Sequence, residues 1–173
     1  MEAKIQIHEL NGSFFSNSNL ALALAQKSDF GERDKDGISY SLYEVIYLIE
    51  QNKAELIIKT KKLGFSETIS KYLKKDKTLL DKYLVFKDLR KKGHVIKAGL
   101  KFGVDFRCYA KSESPKRNHA KYLVYILDEK EKLGIREFTS KSRVAHSTGK
   151  ILLVAIIDSE RDITYLEVNW KKR

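Results

Sequence analysis

Two runs of nearly unbroken apolar residues, "AKYLVYILD" (120–128) and "ILLVAIID" (151–158), constrain the fold more than any other feature of the chain. A strand with one face in water alternates polar and apolar residues, and these two do not alternate. Both are short and carry β-branched or aromatic residues, so each reads as a buried strand covered on both faces. The first is the expected centre of its sheet.

The segments around them fill in a sheet. "HVIKAG" (94–99) reads as a strand, "LKFGVDFRCYA" (100–110) as a turn into another, and "ITYLEVNW" (163–170) as the last. Between the two apolar runs, residues 129–150 begin as a charged loop, pass through a short strand-like stretch, and predict a helix over about 139–149. Upstream, "KIQIHEL" and "GSFFS" read as short strands, "NLALALAQKSDFGE" fits strand or helix, and "RDKDGI" is a turn signal. In "SYSLYEVIYLIEQNK" the spacing of Leu42, Val45, Ile46 and Ile49 predicts a helix, with Ser41 as N-cap and Glu44 three positions on. "AELIIKT" follows as a strand. Residues 64–93 carry two helical patterns, the second lined by Leu84, Val85 and Leu89 and stopped at Gly93. The expected fold class is α+β, with a small mixed α/β domain over 1–83 and a second domain over 84–173 built on a central mixed sheet flanked by helices.

Charge narrows the function. A net charge of +11 suits a polyanionic partner, because clustered Lys and Arg release counterions from phosphates. A thermophile-like surface of ion pairs fits the 33% charged residues as well. No apolar run approaches the ~18 residues that span a bilayer, and the start "MEAKIQIHEL" lacks the form of a secretory signal. The expectation is a soluble, cytoplasmic protein with no membrane partner. The single cysteine, Cys108, excludes an internal disulfide, and no phosphate loop, dinucleotide turn or paired Cys/His spacing is present. Asp128, Glu129 and Lys130 resemble a metal-nuclease triplet only superficially, within a dense charge run that reads as a solvated loop. Neither metal nor cofactor is expected.

Of the four histidines, His8 and His94 stand at strand edges or starts, and His146 at a helix end where a cation suits the dipole. His119 differs, lying among Lys116, Arg117, Asn118 and Lys121, where an arriving anion would meet it. Cleaving an RNA phosphodiester without metal needs a base for the 2′-OH, an acid for the departing 5′-oxygen and a cation for the phosphorane. Tyr, His and Lys can fill these roles. A tyrosine is a poor base at its ordinary pKa of about 10, and nearby cations favour its phenolate. Tyr109, His119 and Lys150 are the candidates, with Lys150 at the start of a buried strand or, equally, only capping a helix end.

The second half resembles the archaeal tRNA-splicing endonuclease (tRNA-intron endonuclease) family. The resemblance is carried by "DLRKKGHVIKAGLKFGVDFRCY", "HAKYLVYIL", "RVAHSTGKILLVAIID" and "ITYLEVNW", with Gly-x-x-x-Gly-x-Asp-Phe-x-x-Tyr running from Gly99 to Tyr109. "SLYEVIYLIEQNKAEL" is similar to the family's N-terminal helix–strand segment. The resemblance implies a catalytic nuclease domain over 84–173 that cuts precursor tRNA at bulge-helix-bulge introns, without metal or cofactor, leaving 2′,3′-cyclic phosphate and 5′-hydroxyl ends. It implies Tyr109 as general base, His119 as general acid and Lys150 as transition-state cation. Arg143 and Trp170 would clamp an unstacked bulge base of the neighbouring active unit, Trp170 standing where the family often has arginine. A homotetramer is implied, with a heterotetramer containing a second subunit as the other arrangement. Last strands pair between subunits, and an acidic loop, here "LDEKEKLGI" with Asp128, Glu129 and Glu131, enters a partner's groove. The alternatives are a non-catalytic RNA-binding or structural subunit, and a metal-dependent nuclease using Asp105 or Asp128.

Overall fold

A computed structural model describes residues 3–170. The chain divides between Tyr83 and Leu84 into two compact units.

The first unit holds a six-stranded sheet in the order β3-β4-β2-β1-β5-β6. Its elements are β1 (Ile5–Leu10), β2 (Ser13–Ser16), α1 (Asn19–Ser28), β3 (Glu32–Asp34), β4 (Gly37–Tyr40), α2 (Leu42–Glu50), β5 (Ala54–Ile58), β6 (Lys61–Leu63) and α3 (Phe65–Leu73). β1 and β5 run parallel and the other neighbours antiparallel, which makes the sheet mixed. The stretch that fitted strand or helix is α1, because Ser18 caps it by accepting from the Ala21 N–H and its small residues Ala21 and Ala25 turn inward. α2 starts as the sequence predicts. Ser41 Oγ accepts from the Glu44 N–H, and Glu44, itself buried, accepts from the Ser41 N–H and from the Gly31 N–H. The turn expected at "RDKDGI" is present, but the short strands it joins, β3 and β4, were not foreseen, nor was the pairing of "KKL" with β5 as β6.

The second unit is the one that positions the chemistry. α4 (Leu79–Lys91) leads into β7 (Ile96–Ala98), a 3-10 turn at Leu100–Phe102, β8 (Phe106–Cys108), β9 (Tyr122–Asp128), α5 (Ile135–Ser147), β10 (Ile151–Ile157) and β11 (Ile163–Val168). The sheet order is β11-β10-β9-β8-β7, with β9 central and parallel to β10 and every other pair antiparallel. Leu123, Val124, Leu152 and Ala155 are wholly buried, as the apolar runs require. A fully buried aliphatic side chain contributes about 1.5–3 kcal/mol each, so these two strands anchor the unit.

One boundary is corrected. The predicted helix over 139–149 begins at Ile135, and the strand-like stretch before it is its first turn. Glu137 lies there, favourable at a helix N-terminus, and accepts a 2.8 Å hydrogen bond from the Tyr125 hydroxyl. Phe138 packs against the core of this unit and Glu137 is tied to Tyr125, tertiary contacts that the local pattern of "IREF" does not announce. Among the described residues, no helix is long and apolar enough to cross a membrane.

Candidate active site

Tyr109, His119 and Lys150 are brought to one end of the sheet by strand register. Cys108 pairs with Tyr122 across β8 and β9, and Tyr122 pairs with Ile151 across β9 and β10. The residue after β8 and the residues before β9 and β10 therefore share a row, closed by Lys121 N–H to Cys108 O at 3.0 Å and Ile151 N–H to Lys121 O at 3.0 Å. Tyr109 and Lys150 flank Lys121 in that row, two strand spacings or about 10 Å apart along the sheet. His119 stands two residues before Lys121, at the end of the connecting loop.

Each of the three is held differently. Tyr109 is 4% exposed and packs with Val95 and Ala120. Its main chain is pinned on both sides: its N–H donates to Val95 O at 2.9 Å, and His94 Nδ1 lies 2.8 Å from its carbonyl oxygen. A carbonyl can only accept, so that ring nitrogen carries the proton. His119 is exposed, directly before the buried Ala120 that touches Tyr109. The loop before it is folded on itself, with Arg117 and Asn118 N–H groups both bonded to Ser114 O.

Lys150 follows a Schellman ending of α5. Gly149 takes φ +67°, its N–H meets His146 O at 3.1 Å, and the Lys150 N–H meets Ala145 O at 2.8 Å. The Lys150 ammonium donates to Thr148 O at 2.8 Å and lies 5.2 Å from the Phe102 ring centroid. The same device closes α4: Gly93 at φ +91° bonds Arg90 O, and His94 N–H bonds Leu89 O. Gly93 was legible as a stop; that the residue after it supports Tyr109 was not, because only the fold brings His94 to that carbonyl.

Arg143 lies on α5, and Trp170, just past β11, packs against that helix. Trp170 donates from Nε1 to Ser142 Oγ at 2.7 Å and stacks on His146, with centroids 5.4 Å apart and planes at 18°. His146 is thus at a helix end, as expected, but its ring serves as a platform. Arg143 is exposed and lines a neighbouring groove, and Thr139 borders both that groove and the hollow beside Trp170.

The acids are mostly committed elsewhere. Asp105 Oδ2 accepts from the Ile126 N–H, Asp128 Oδ1 from the Lys130 N–H, and Glu129 Oε1 from the Ser159 N–H. Among the described residues, no three His, Cys, Asp or Glu side chains gather into a metal-holding group. The Cys108 thiol, beside the row, is buried and pushed up to about 12 by that burial, against the charge of Lys121. Charge itself is concentrated here: residues 84–173 hold 21 Lys and Arg against 11 Asp and Glu, +10 of the chain's +11.

A sequence profile described as tRNA intron endonuclease, catalytic C-terminal domain, matches residues 79–165. The tRNA-splicing endonuclease of Methanothermobacter thermautotrophicus is 39% identical over 153 residues, covering 88% of this chain and 89% of that one. The tRNA-splicing endonuclease of Thermococcus gammatolerans is 36% identical over 157 residues, covering 91% and 92%. That of Pyrococcus horikoshii is 31% identical over 173 residues and covers 99% of each. With its central parallel pair, its Tyr, His and Lys at one sheet end and these relatives along its length, the chain belongs to the tRNA-intron (tRNA-splicing) endonuclease family.

Proposed function

We propose that this chain, an RNA endonuclease of tRNA splicing, cuts precursor tRNA at the intron–exon junctions of bulge-helix-bulge RNA by general acid and base catalysis. The observation that carries the reading is the strand register, which sets Tyr109 and Lys150 in one row and brings the loop end bearing His119 to the same end of β8, β9 and β10. Tyr109 takes the 2′-OH proton, the 2′-oxygen attacks phosphorus, and the P–O5′ bond breaks as His119 delivers a proton to the 5′-oxygen. The products are a 2′,3′-cyclic phosphate and a 5′-hydroxyl. Lys150 supplies the positive charge that the phosphorane needs and has no carboxylate partner to spend it on among the described residues. The +10 charge of residues 84–173 favours RNA at this unit.

Arg143 and Trp170 hold an unstacked bulge base for a neighbouring active unit. Both are exposed planar groups on adjoining grooves of α5 whose linings include none of Tyr109, His119 and Lys150, which suits service in trans. The assembly in this reading is a homotetramer, or a heterotetramer with a second subunit. β11 is an edge strand with Leu166 49% exposed, a surface that a second copy of the strand would cover.

The test is cleavage of a bulge-helix-bulge RNA in EDTA by the purified chain, with product ends analysed. Cyclic-phosphate ends, lost in His119→Ala, are expected. Cutting that EDTA stops while His119→Ala proceeds would overturn the mechanism. Salt-dependent binding with no cutting would mark a structural subunit instead.

A further inference from the structure

The outer face of α5 carries more than Arg143. Arg136, Ser140 and Arg143 stand at i, i+4 and i+7, one stripe along the helix, and all three line the same groove. Among the described residues neither guanidinium has an ion-pair partner. The other hydroxyls of the groove are spent inward, Thr139 Oγ1 on Ile135 O at 2.7 Å and Ser147 Oγ on Val144 O at 3.1 Å. Glu137, the one acid on α5, is turned to Tyr125 and Lys141 and does not line the groove. What remains is a ridge of donors without an acceptor of negative charge, about 10 Å long at 1.5 Å per residue. Ile135 and Val144 give the groove apolar walls.

We infer that the Arg136–Ser140–Arg143 stripe is a phosphate track for RNA, in which Arg136 and Ser140 hold the backbone beside the nucleotide whose base lies on Arg143. The inference rests on the reading of Arg143 given above and adds Arg136 and Ser140 as substrate-positioning residues. A guanidinium fork grips a phosphate through two parallel hydrogen bonds, so two arginines two turns apart fix both position and direction of a strand. The apolar walls suit ribose. A carboxylate-bearing loop of a second copy is the competing occupant. Two of that loop's three acids, Asp128 and Glu129, each have one carboxylate oxygen committed to a main-chain N–H of their own chain, which leaves RNA phosphate the better-matched occupant.

The experiment measures binding of a bulge-helix-bulge RNA, made uncleavable by 2′-deoxy substitution at the cut positions, over a salt series. Arg136→Gln is expected to weaken Kd about tenfold and to lower the salt slope by about one. Arg136→Lys recovers the slope but only part of the affinity. In cleavage assays the loss falls in KM rather than in kcat. Unchanged Kd and slope in Arg136→Gln, with Arg143→Ala impaired, would overturn the track and leave the parent reading standing. If Arg143→Ala also binds normally, the parent reading falls and the track with it. A change in oligomer mass without a change in RNA affinity would assign the stripe to a subunit contact and overturn it as well.

Discussion

His94 Nδ1 lies 2.8 Å from the main-chain oxygen of Tyr109 and donates a hydrogen bond to it. A residue left by the helix stop at Gly93 thus fixes the backbone from which the proposed base projects. One neutral hydrogen bond is worth about 1 kcal/mol of stability, yet a shift of about 1 Å at a reacting group can cost on the order of 100-fold in rate. His94→Ala is expected to lower kcat by roughly 10- to 100-fold while melting within a few degrees of wild type. His94→Asn, whose side-chain amide can donate in place of Nδ1, is expected to recover most of the rate. Equal activity in all three would show that the bond does not position Tyr109.

Tyr109 is buried among Val95 and Ala120, so ring and hydroxyl can be separated by substitution. Tyr109→Phe keeps the packing and loses only the oxygen. It should melt like wild type and lose on the order of 10²–10⁴ in kcat, the usual range for a general base. Tyr109→Ala should also lose about 3–5 kcal/mol of stability, the ordinary range for emptying a buried aromatic site. Thermal melts and single-turnover cleavage of the three proteins decide this.

Gly149 takes a left-handed backbone with open space where a Cβ would stand, so substitution meets strain and no clash. Gly149→Ala is expected to cost about 1 kcal/mol and to lower kcat through Lys150, which the motif holds next in line. Gly149→Asn tolerates the left-handed conformation and should be milder on both counts. A kcat indifferent to both changes would mean that Lys150 does not depend on this helix ending.

The parts of this geometry legible in the sequence are those set by local pattern. Residues 122–127 and 151–157 announce buried neighbours because neither run spares a face for water, and Ser41 with Glu44 announces a helix start. Where side chains say little, the pattern fails: β3 is "ERD" and β6 is "KKL", strands only because a neighbour pairs with them. "IREF" fails for the opposite reason, its β-like residues forming a helical turn that packs Phe138 on the core and ties Glu137 to Tyr125. Tyr109, His119 and Lys150 could be singled out by chemistry and resemblance, but the row that joins Tyr109 to Lys150, with His119 two residues before its middle member, exists only through strand register. The His94–Tyr109 bond and the Trp170–His146 stack link residues 15 and 24 positions apart, with no sequence signal for either.

Cys108 offers a check on the burial of the row. Its thiol is pushed from an ordinary 9.0 up to about 12 by burial, so at pH 8 it is protonated and covered. Iodoacetamide should leave the native protein unlabelled and label the denatured chain fully. The linkage has a definite sign: a raised folded-state value gives stability that is whole below about pH 9 and is lost as pH rises towards 12. Cys108→Ala should lessen the alkaline slope and not abolish it, because burial also raises the hydroxyls of Tyr40, Tyr72, Tyr83, Tyr125 and Tyr165. Rapid labelling of native protein at pH 8 would contradict the packing at this end of the sheet.

Trp170 is the chain's one tryptophan, so intrinsic tryptophan fluorescence reads that position alone. One face of its indole lies on His146, its Nε1–H is engaged by Ser142, and the residue is 47% exposed. The side chain is therefore held in place before any RNA arrives, with surface left to accept a base. Preorganisation of this kind lowers the ordering cost of binding, and stacking a base on an aromatic ring contributes about 1–3 kcal/mol. A bulge-helix-bulge RNA should quench the emission at saturation, whereas a fully paired RNA of the same length, with no unstacked base to offer, should leave it nearly unchanged. Trp170→Ala should weaken binding of the bulged RNA by roughly 5- to 150-fold, the equivalent of that stacking energy, and barely affect the paired one. Trp170→Phe, which keeps a stacking face but not the bond to Ser142, should fall between. Identical spectra with the two RNAs would sink the base clamp, and would leave Trp170 as a ring packed on its own helix.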